Sequence, residues 1–277
     1  MIFKKINLKE HFPFLGMHNC NPTIDIYLPD NLTEMGRCNA KRPNIIICPG
    51  GGYESCSQRE AEPIAMQFLS ENYNVFLLWY SVAPNRFPTQ LREVAAVLEL
   101  INKFSEEWGC DTEKNAIIGF SAGGHLAAHY STSFDCDEIR DVFPESKPVQ
   151  ASVLAYPVIS TNPTIAHLGS FYNLLGKDHL SQQDEEKFSC ELLVNKKTPP
   201  AFLWHTSNDP VVPMPNSLLY ANALWKHGIP AELHIFPYGP HGLSTSDEYT
   251  NDSLPPLISR AKNWIPNAKE WLKIIFN

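Results

Sequence analysis

The sequence has no long uninterrupted apolar run. No stretch of the 277 residues approaches the ~18 consecutive apolar residues that a membrane-spanning helix needs. Residues 1–11 also lack the continuous apolar segment of a secretory signal peptide, because lysines interrupt them. We therefore expect a cytoplasmic protein with no membrane partner.

Basic charge is also scarce. The chain carries 22 Lys and Arg residues against 30 Asp and Glu residues, which gives a formal net charge of −8. No run of basic residues is longer than a pair such as Lys196 and Lys197. This balance argues against nucleic acid as a partner and favours a small-molecule substrate.

Cysteine occurs without the spacing of a metal or disulfide framework. The seven cysteines are an odd number, and no C-x-x-C or H-E-x-x-H occurs. Cys48 ends an apolar run and is interpreted as a small buried hydrophobe. The sequence therefore predicts no disulfide framework, no metal and no cofactor.

Short apolar runs recur along the chain and are nearly continuous rather than alternating. This pattern is typical of strands in a sheet that is covered on both faces. No repeat or polar linker divides the chain, so residues 1–277 are predicted to form a single domain. The runs are 24–28, 45–48, 75–79, 116–120, 151–156, 201–204 and 232–236.

Helical patterns separate several of these runs. Residues 89–104 place apolar side chains at helical spacing, and residues 216–227 do the same before Gly228. A third helix is expected around Ala268 and Trp271, with Pro266 in its first turn. Strands that alternate with helices predict a mostly parallel sheet built from right-handed βαβ units.

Residues 160–197 interrupt this alternation. They contain polar helical fragments, such as residues 181–194, but no convincing strand. One interpretation is a lid over the carboxyl end of the sheet that shapes a substrate pocket. The other is a peripheral helical excursion with no role in the site.

The most informative motif is the hexapeptide at residues 119–124. Gly-Phe-Ser-Ala-Gly-Gly follows an apolar strand and precedes a helix-forming stretch, which is the context of a nucleophile elbow. The Gly-x-Ser-x-Gly pattern within it would by itself occur by chance in roughly one chain in ten of this length. In this context Ser121 is the predicted nucleophile.

A serine nucleophile needs a base and an acid that orients the base. Asp209 and His241 each follow a predicted strand, in the order Ser, Asp, His that hydrolases on such a sheet use. Taken singly, Asp209 is equally consistent with an Asx turn or a helix cap, and His241 with a surface loop. Together they predict a catalytic triad with Ser121.

A glycine run supplies the predicted oxyanion hole. Gly50, Gly51 and Gly52 follow the strand at 45–48, where glycines allow backbone N–H groups to approach a developing alkoxide. The amide of Ala122, directly after the nucleophile, is the second expected donor. A phosphate-binding loop is disfavoured because the Gly-Lys-Ser/Thr of a P-loop is missing.

Other histidines and aromatic residues have simpler interpretations. We expect His125 to pack against the elbow, and His205 and His234 to be satisfied within the core. The aromatics near strand ends either line a substrate pocket or belong to the core. They are Tyr53, Trp79, Tyr80 and Phe171, of which Tyr53 is the candidate substrate contact.

These pieces resemble the α/β-hydrolase superfamily, in particular small esterases related to acetylxylan esterases and to the hormone-sensitive-lipase-like group. The resemblance covers nearly the whole chain. It implies a sheet of about eight strands with helices on both faces, to which residues 160–197 would add a helical insertion after the sixth strand. Pro49 stands where the lipase-like group usually has His, which places the chain nearer the sugar-ester deacetylases.

The resemblance also implies roles for individual residues. Ser121 becomes the nucleophile, Asp209 the orienting acid and His241 the base. The implied amide donors of the oxyanion hole are those of Gly51, Gly52 and Ala122.

The expected function is a serine esterase that removes short acyl groups, acetyl above all, from a carbohydrate or similar alcohol. An amidase, arylformamidase or peptidase would use the same triad, since the acyl-enzyme chemistry is shared. A glycoside hydrolase and a catalytically silent binding protein are further alternatives, although no residue pair in the sequence suggests glycosidase carboxylates. Acyl length, the alcohol and the oligomeric state stay open.

Overall fold

A computed structural model describes residues 1–15, 21–37 and 39–277. Eight strands of the described residues form one sheet, in the order β1-β2-β4-β3-β5-β6-β7-β8. The strands are β1 (Ile2–Asn7), β2 (Thr23–Leu28), β3 (Arg42–Cys48), β4 (Asn74–Trp79), β5 (Cys110–Phe120), β6 (Ala151–Ala155), β7 (Ala201–Thr206) and β8 (Ala231–Phe236). The β1–β2 and β2–β4 pairs are antiparallel, and all the other pairs are parallel.

The mostly parallel sheet of about eight strands is thereby confirmed, and all seven predicted runs are strands. The additional strand is β1, which lies at one edge and pairs only with β2 among the described strands. Ile2 and Phe3 are exposed, and lysines follow them. Because β1 has so little buried surface, its sequence lacks the apolar run that identifies the other strands.

Helices cover both faces of this sheet, as expected. The described residues form α1 (Leu8–His11), α2 (Glu62–Leu69), α3 (Thr89–Lys103), α4 (Ser105–Trp108), α5 (Ser121–Ser133), α6 (Asp137–Arg140), α7 (Leu168–Leu175), α8 (Gln182–Phe188), α9 (Cys190–Leu193), α10 (Pro215–Lys226), α11 (Pro256–Ser259) and α12 (Trp264–Phe276). Helices α3, α5 and α10 pack on one face, and α2 and α12 pack on the other. The three helices predicted from spacing correspond to α3, α10 and α12.

The continuous apolar runs arise because each strand is buried from both sides. In β3, Ile46 belongs to the core cluster of one face, whereas Ile45 and Ile47 belong to the cluster of the other. All three side chains are fully buried. Burial of such a side chain contributes about 1.5–3 kcal/mol, so both core layers stabilise the sheet.

Cys48 has the buried position that the sequence predicts for it. Cys48 is fully buried, and none of the five described cysteines forms a disulfide. Cys20 and Cys38 lie outside the described residues.

The insertion after β6 contains α7, α8 and α9. Ser181 caps α8 through a capping box with Asp184. The predicted fragment at 181–194 is broken at Ser189, whose extended backbone separates α8 from α9. The carbonyl oxygen of Phe188 lies 2.9 Å from His125 Nε2, so the insertion packs directly on α5. Its role as a lid stays a prediction.

Candidate active site

Ser121 stands at the junction of β5 and α5, in a backbone conformation with φ of +52° that non-glycine residues rarely adopt. The neighbouring glycines permit this turn because there is no room for side chains. A Cβ on Gly123 would lie 2.2 Å from the carbonyl oxygen of Cys48, and one on Gly119 would lie 2.2 Å from that of Gly123. The motif therefore forms the predicted elbow, packed against the end of β3.

The structure brings all three predicted triad residues into one hydrogen-bonded chain. Ser121 Oγ lies 2.8 Å from His241 Nε2, and His241 Nδ1 lies 2.7 Å from Asp209 Oδ2. The three residues follow β5, β8 and β7, so their side chains meet at the carboxyl end of the parallel strands. An ionised Asp209 only accepts hydrogen bonds, so Nδ1 carries the proton and Nε2 is left to accept the serine proton.

Asp209 uses its two oxygens for different purposes. Oδ1 accepts hydrogen bonds from the amides of Val211 and Val212, each over 2.9 Å, while Oδ2 accepts from His241. Asp209 therefore forms the Asx turn and also lies where an acid that orients His241 would have to be. Burial alone would raise the pKa of Asp209, but hydrogen bonds from His205 and His241 outweigh it and hold the pKa well below its usual range.

The glycine run after β3 adopts backbone conformations that favour glycine. Gly51 has φ of +128° and Gly52 has φ of +65°. A Cβ on Gly51 would lie 2.2 Å from the carbonyl oxygen of Ser55, whereas the corresponding space beside Gly52 is open. The turn therefore requires a glycine at 51 on steric grounds alone.

The predicted amide donors are available for a ligand. No described residue accepts a hydrogen bond from the Gly51 or Gly52 amide. The Ala122 amide lies in the first turn of α5, where backbone N–H groups have no intrahelical acceptor. The carbonyl oxygen of Gly52 accepts a hydrogen bond from Asn173 Nδ2 over 2.9 Å, which fixes the peptide that follows the Gly52 amide.

The candidate substrate contact Tyr53 requires correction. Its side chain is 1% exposed, and its hydroxyl lies 2.9 Å from His125 Nδ1. A direct substrate contact is therefore not supported, and the Tyr53 ring instead packs against Tyr80 and His125 in the core. Tyr80 and Phe171 are also buried core residues, whereas Trp79 is half-buried.

The other histidines differ in their surroundings. His125 is fully buried between Tyr53 and the insertion, and burial lowers its pKa to about 4. His205 is fully buried between Ser217 and the carbonyl oxygen of Val212, as expected. The core position expected for His234 is wrong: its side chain is 30% exposed, because β8 is an edge strand of the sheet.

Two residues of the site were missed by the sequence analysis. The Tyr156 ring contacts the His241 ring edge-on, with centroids 4.9 Å apart and an angle of 68° between the planes. The Tyr156 hydroxyl donates a hydrogen bond to the buried carboxylate of Glu60. No sequence signal distinguishes Glu60, because it stands in the polar stretch Gln58-Arg59-Glu60 that would ordinarily be exposed.

Within the described ranges, no three His, Cys, Asp or Glu side chains are grouped so that they could hold a metal ion. Among the helices of the same residues, none combines the length and apolar character needed to cross a bilayer.

Comparison with known proteins places this geometry in a family. The BD-FAE family model matches residues 24–224, which include Ser121 and Asp209. Endo-1,4-beta-xylanase B of Butyrivibrio fibrisolvens is 35% identical over 80% of this chain and 36% of its own length. Acetylxylan esterase of Xylanibacter ruminicola is 29% identical over 88% of this chain and 48% of its own length. The chain thus spans about half or less of these curated relatives.

Solved structures match over nearly the full length of both chains. The acetyl ester-xyloside bifunctional hydrolase from Caldicellulosiruptor lactoaceticus is 36% identical, with a TM-score of 0.83, over 98% of this chain and 96% of its own. A carboxylesterase from Lactobacillus plantarum WCFS1 is 26% identical with a TM-score of 0.83, over 99% of this chain and 97% of its own. From its fold, its elbow and these similarities, the chain belongs to the BD-FAE family and is an α/β-hydrolase that resembles acetylxylan esterases.

Proposed function

We propose that this protein is a serine esterase that removes short acyl groups, acetyl above all, from a carbohydrate or similar alcohol. The observation that carries the proposal is the hydrogen-bonded chain from Ser121 through His241 to Asp209. The preference for acetyl and for a sugar rests on the names of the relatives, which include an acetylxylan esterase and an acetyl ester-xyloside hydrolase.

In the acylation step, Ser121 Oγ attacks the ester carbonyl carbon while His241 Nε2 takes the hydroxyl proton. Asp209 keeps the imidazole oriented and stabilises the imidazolium that forms. The carbonyl oxygen becomes an oxyanion, which accepts hydrogen bonds from the amides of Gly51 or Gly52 and of Ala122. The positive end of α5 adds to this stabilisation, since Ala122 lies in its first turn.

In the second half of the reaction, His241 returns the proton to the leaving alcohol oxygen as the acyl C–O bond breaks. A water molecule then loses a proton to His241 and attacks the acyl-enzyme carbonyl. As the bond between the acyl carbon and Ser121 Oγ breaks, His241 returns that proton to Oγ and the carboxylic acid is released. The chain's own residues supply every proton transfer in this sequence.

The test compares the wild-type protein with Ser121→Ala on a panel of substrates. The wild-type protein should hydrolyse p-nitrophenyl acetate and acetylated xylo-oligosaccharides faster than an N-formyl arylamine or a short peptide. Ser121→Ala should abolish these activities. Retained ester turnover in that variant would contradict the proposal, and faster turnover of the formyl or peptide substrate would favour the amidase alternative.

A glycosidic activity is the second candidate, because one relative is named an endo-1,4-beta-xylanase and another an acetyl ester-xyloside bifunctional hydrolase. Release of p-nitrophenol from a p-nitrophenyl xyloside would support it. If that release persists in Ser121→Ala, the glycosidic reaction uses groups other than the triad. If it disappears together with esterase activity, both reactions depend on Ser121.

A further inference from the structure

One buried carboxylate joins the two loops that face Ser121. Glu60 is 3% exposed and ends the short 3-10 turn that precedes α2. Its Oε2 accepts a hydrogen bond from the Gly50 amide over 2.8 Å, and its Oε1 accepts one from the Tyr156 hydroxyl over 2.6 Å. Each oxygen therefore binds a donor from a different loop of the site.

The Gly50 side of this link bears directly on the nucleophile. A Cβ on Gly50 would lie 2.6 Å from Glu60 Oε2 and 2.9 Å from Ser121 Cβ, so both groups contact the same glycine. Gly50 opens the glycine run that carries the predicted oxyanion donors. The hydrogen bond to Glu60 consequently fixes the peptide from which that run departs.

The Tyr156 side bears on the base. The Tyr156 hydroxyl accepts a hydrogen bond from the Ser244 amide over 2.9 Å, and its ring lies edge-on to His241. The carbonyl oxygen of Ser244 in turn accepts from Trp264 Nε1 over 2.9 Å. The loop that carries His241 is thus tied to Glu60 through Tyr156, and the Ser244 hydroxyl also donates to the carbonyl oxygen of Arg59, the residue before Glu60.

This arrangement requires a carboxylate rather than an amide. Gly50 N–H is an obligatory donor, and Tyr156 O–H donates to Glu60 while its oxygen accepts from Ser244. A glutamine offers a single acceptor oxygen, so either the Gly50 N–H or the Tyr156 O–H would lose its acceptor. A buried donor without an acceptor is destabilising, so one of the two loops would be displaced.

Charge and burial both act on Glu60. Burial raises the pKa of Glu60, whereas the hydrogen bonds from Tyr156 and Gly50 and the charge of Arg59 lower it. The Arg59 guanidinium lies beside Gly242, next to His241. The cation that favours the ionised form of Glu60 therefore lies against the loop that carries His241.

We propose that ionised Glu60 is a positioning residue of this site, which holds the Gly50 loop and the His241 loop in one arrangement around Ser121. The inference rests on the proposed esterase function. Glu60 touches neither the nucleophile nor the reacting atoms in this arrangement, and it acts through Gly50 and Tyr156.

The test compares Glu60→Gln with wild type in two assays. With p-nitrophenyl acetate, kcat should fall about 10–100-fold while KM changes less than about threefold, since the loss affects the transition state rather than ground-state binding. The second-order rate of labelling by a fluorophosphonate probe should fall in parallel, and this readout does not depend on the natural alcohol. Circular dichroism and thermal unfolding establish that the variant is folded.

Glu93→Gln is the matched control. Glu93 is likewise fully buried and accepts two hydrogen bonds, but both come from Ser81. The Ser81 hydroxyl can rotate and accept from a glutamine NH₂, so this variant should fold and retain wild-type kcat within about twofold. An equal fall of kcat in both variants would mean that replacing any buried carboxylate lowers kcat, and it would overturn the inference.

Tyr156→Phe keeps the inference testable if Glu60→Gln does not fold. It retains the ring beside His241 and removes the hydroxyl, so kcat should fall about tenfold with little change in KM. If both variants fold, the double variant should lose no more activity than Glu60→Gln alone, because the residues act as one unit. Additive losses, or wild-type kcat in either folded variant, would overturn the inference.

Ser121→Ala is measured alongside to separate the two proposals. If this variant is active, the proposed function fails whatever Glu60 does. If it is inactive while a folded Glu60→Gln retains wild-type kcat, only the positioning role of Glu60 fails.

Discussion

Asn173 Nδ2 donates a hydrogen bond to the carbonyl oxygen of Gly52 over 2.9 Å, which links α7 of the insertion to the predicted oxyanion loop. The two residues lie 121 positions apart in the chain. The contact favours the interpretation of residues 160–197 as part of the site rather than as a peripheral excursion.

Removal of this contact should slow catalysis without unfolding the protein. In Asn173→Ala the Gly52 carbonyl loses its donor, so the predicted oxyanion loop becomes more mobile. Because the donors are then less well positioned, kcat/KM for p-nitrophenyl acetate should fall about 3–10-fold. Asn195→Ala is the matched control, because Asn195 also lies in the insertion and donates to a backbone carbonyl, that of Thr132 near the far end of α5. Equal activity of the two variants would favour the peripheral interpretation.

Asp209→Asn should preserve the loop and impair the base. Asn retains one oxygen, which can still accept from the Val211 and Val212 amides, so its NH₂ group would face His241 Nδ1 and favour the wrong tautomer. We expect kcat to fall by about 10⁴, as judged from the equivalent change in other serine hydrolases. The measurement is steady-state hydrolysis of p-nitrophenyl acetate.

The control for that change is Asp247→Asn. Asp247 Oδ1 accepts from Thr245 and from the Tyr249 amide, so its carboxylate serves a turn outside the triad. Its kcat should stay within about twofold of wild type. A loss confined to Asp209→Asn supports the orienting role, whereas wild-type kcat in that variant would contradict it.

Glu93 should make stability depend on pH near neutrality. Burial raises the pKa of Glu93 to about 7 in the folded state, above the ordinary value of 4.5. The folded protein then binds a proton that the unfolded chain releases, so the stabilising contribution is present below pH 4.5 and is lost as the pH rises through 7. The free energy of unfolding should therefore fall with pH between these values, by at most roughly 1.4 kcal/mol per pH unit from this group.

Urea unfolding of wild type and Glu93→Gln at pH 5, 6, 7 and 8 measures this effect. As the pH rises, the free energy of unfolding of the wild type should fall relative to that of Glu93→Gln, because glutamine does not titrate. A difference that stays constant across this range would contradict the raised pKa.

Gly123→Ala should destabilise the elbow. Its new methyl group would lie 2.2 Å from the Cys48 carbonyl oxygen, so α5 would have to move away from β3. We expect a loss of more than about 2 kcal/mol in the free energy of unfolding and a loss of fluorophosphonate labelling. Gly169→Ala is the control, since the nearest atom to its new methyl group is 3.6 Å away, an ordinary contact; comparable losses in both variants would contradict the steric explanation.

The strands and the triad were predictable because they leave local signals in the sequence. A buried strand needs a continuous apolar run, and the elbow needs glycines on either side of Ser121. Asp209 and His241 were identifiable because each follows a strand in the required order. β1 escaped prediction because an edge strand with exposed side chains needs no such run.

Glu60 and Tyr156 could not be predicted for a different reason. Their roles depend on a contact between two residues that are 96 positions apart in the chain. Neither the residue types nor the local spacing indicates such a contact. The error over Tyr53 has the same origin. Its position near the end of a strand is compatible with a pocket or with the core, and the side chain turns inward to His125.

The order in which the triad appears along the chain has a consequence for synthesis. His241 follows β8, an edge strand whose one neighbour among the described strands is β7. A ribosome-bound chain that has not yet released β8 therefore carries the proposed nucleophile and the proposed acid but not the proposed base. The nascent protein should stay chemically inert towards esters until this edge strand pairs, so its reactivity with an acylating probe would report the completion of folding.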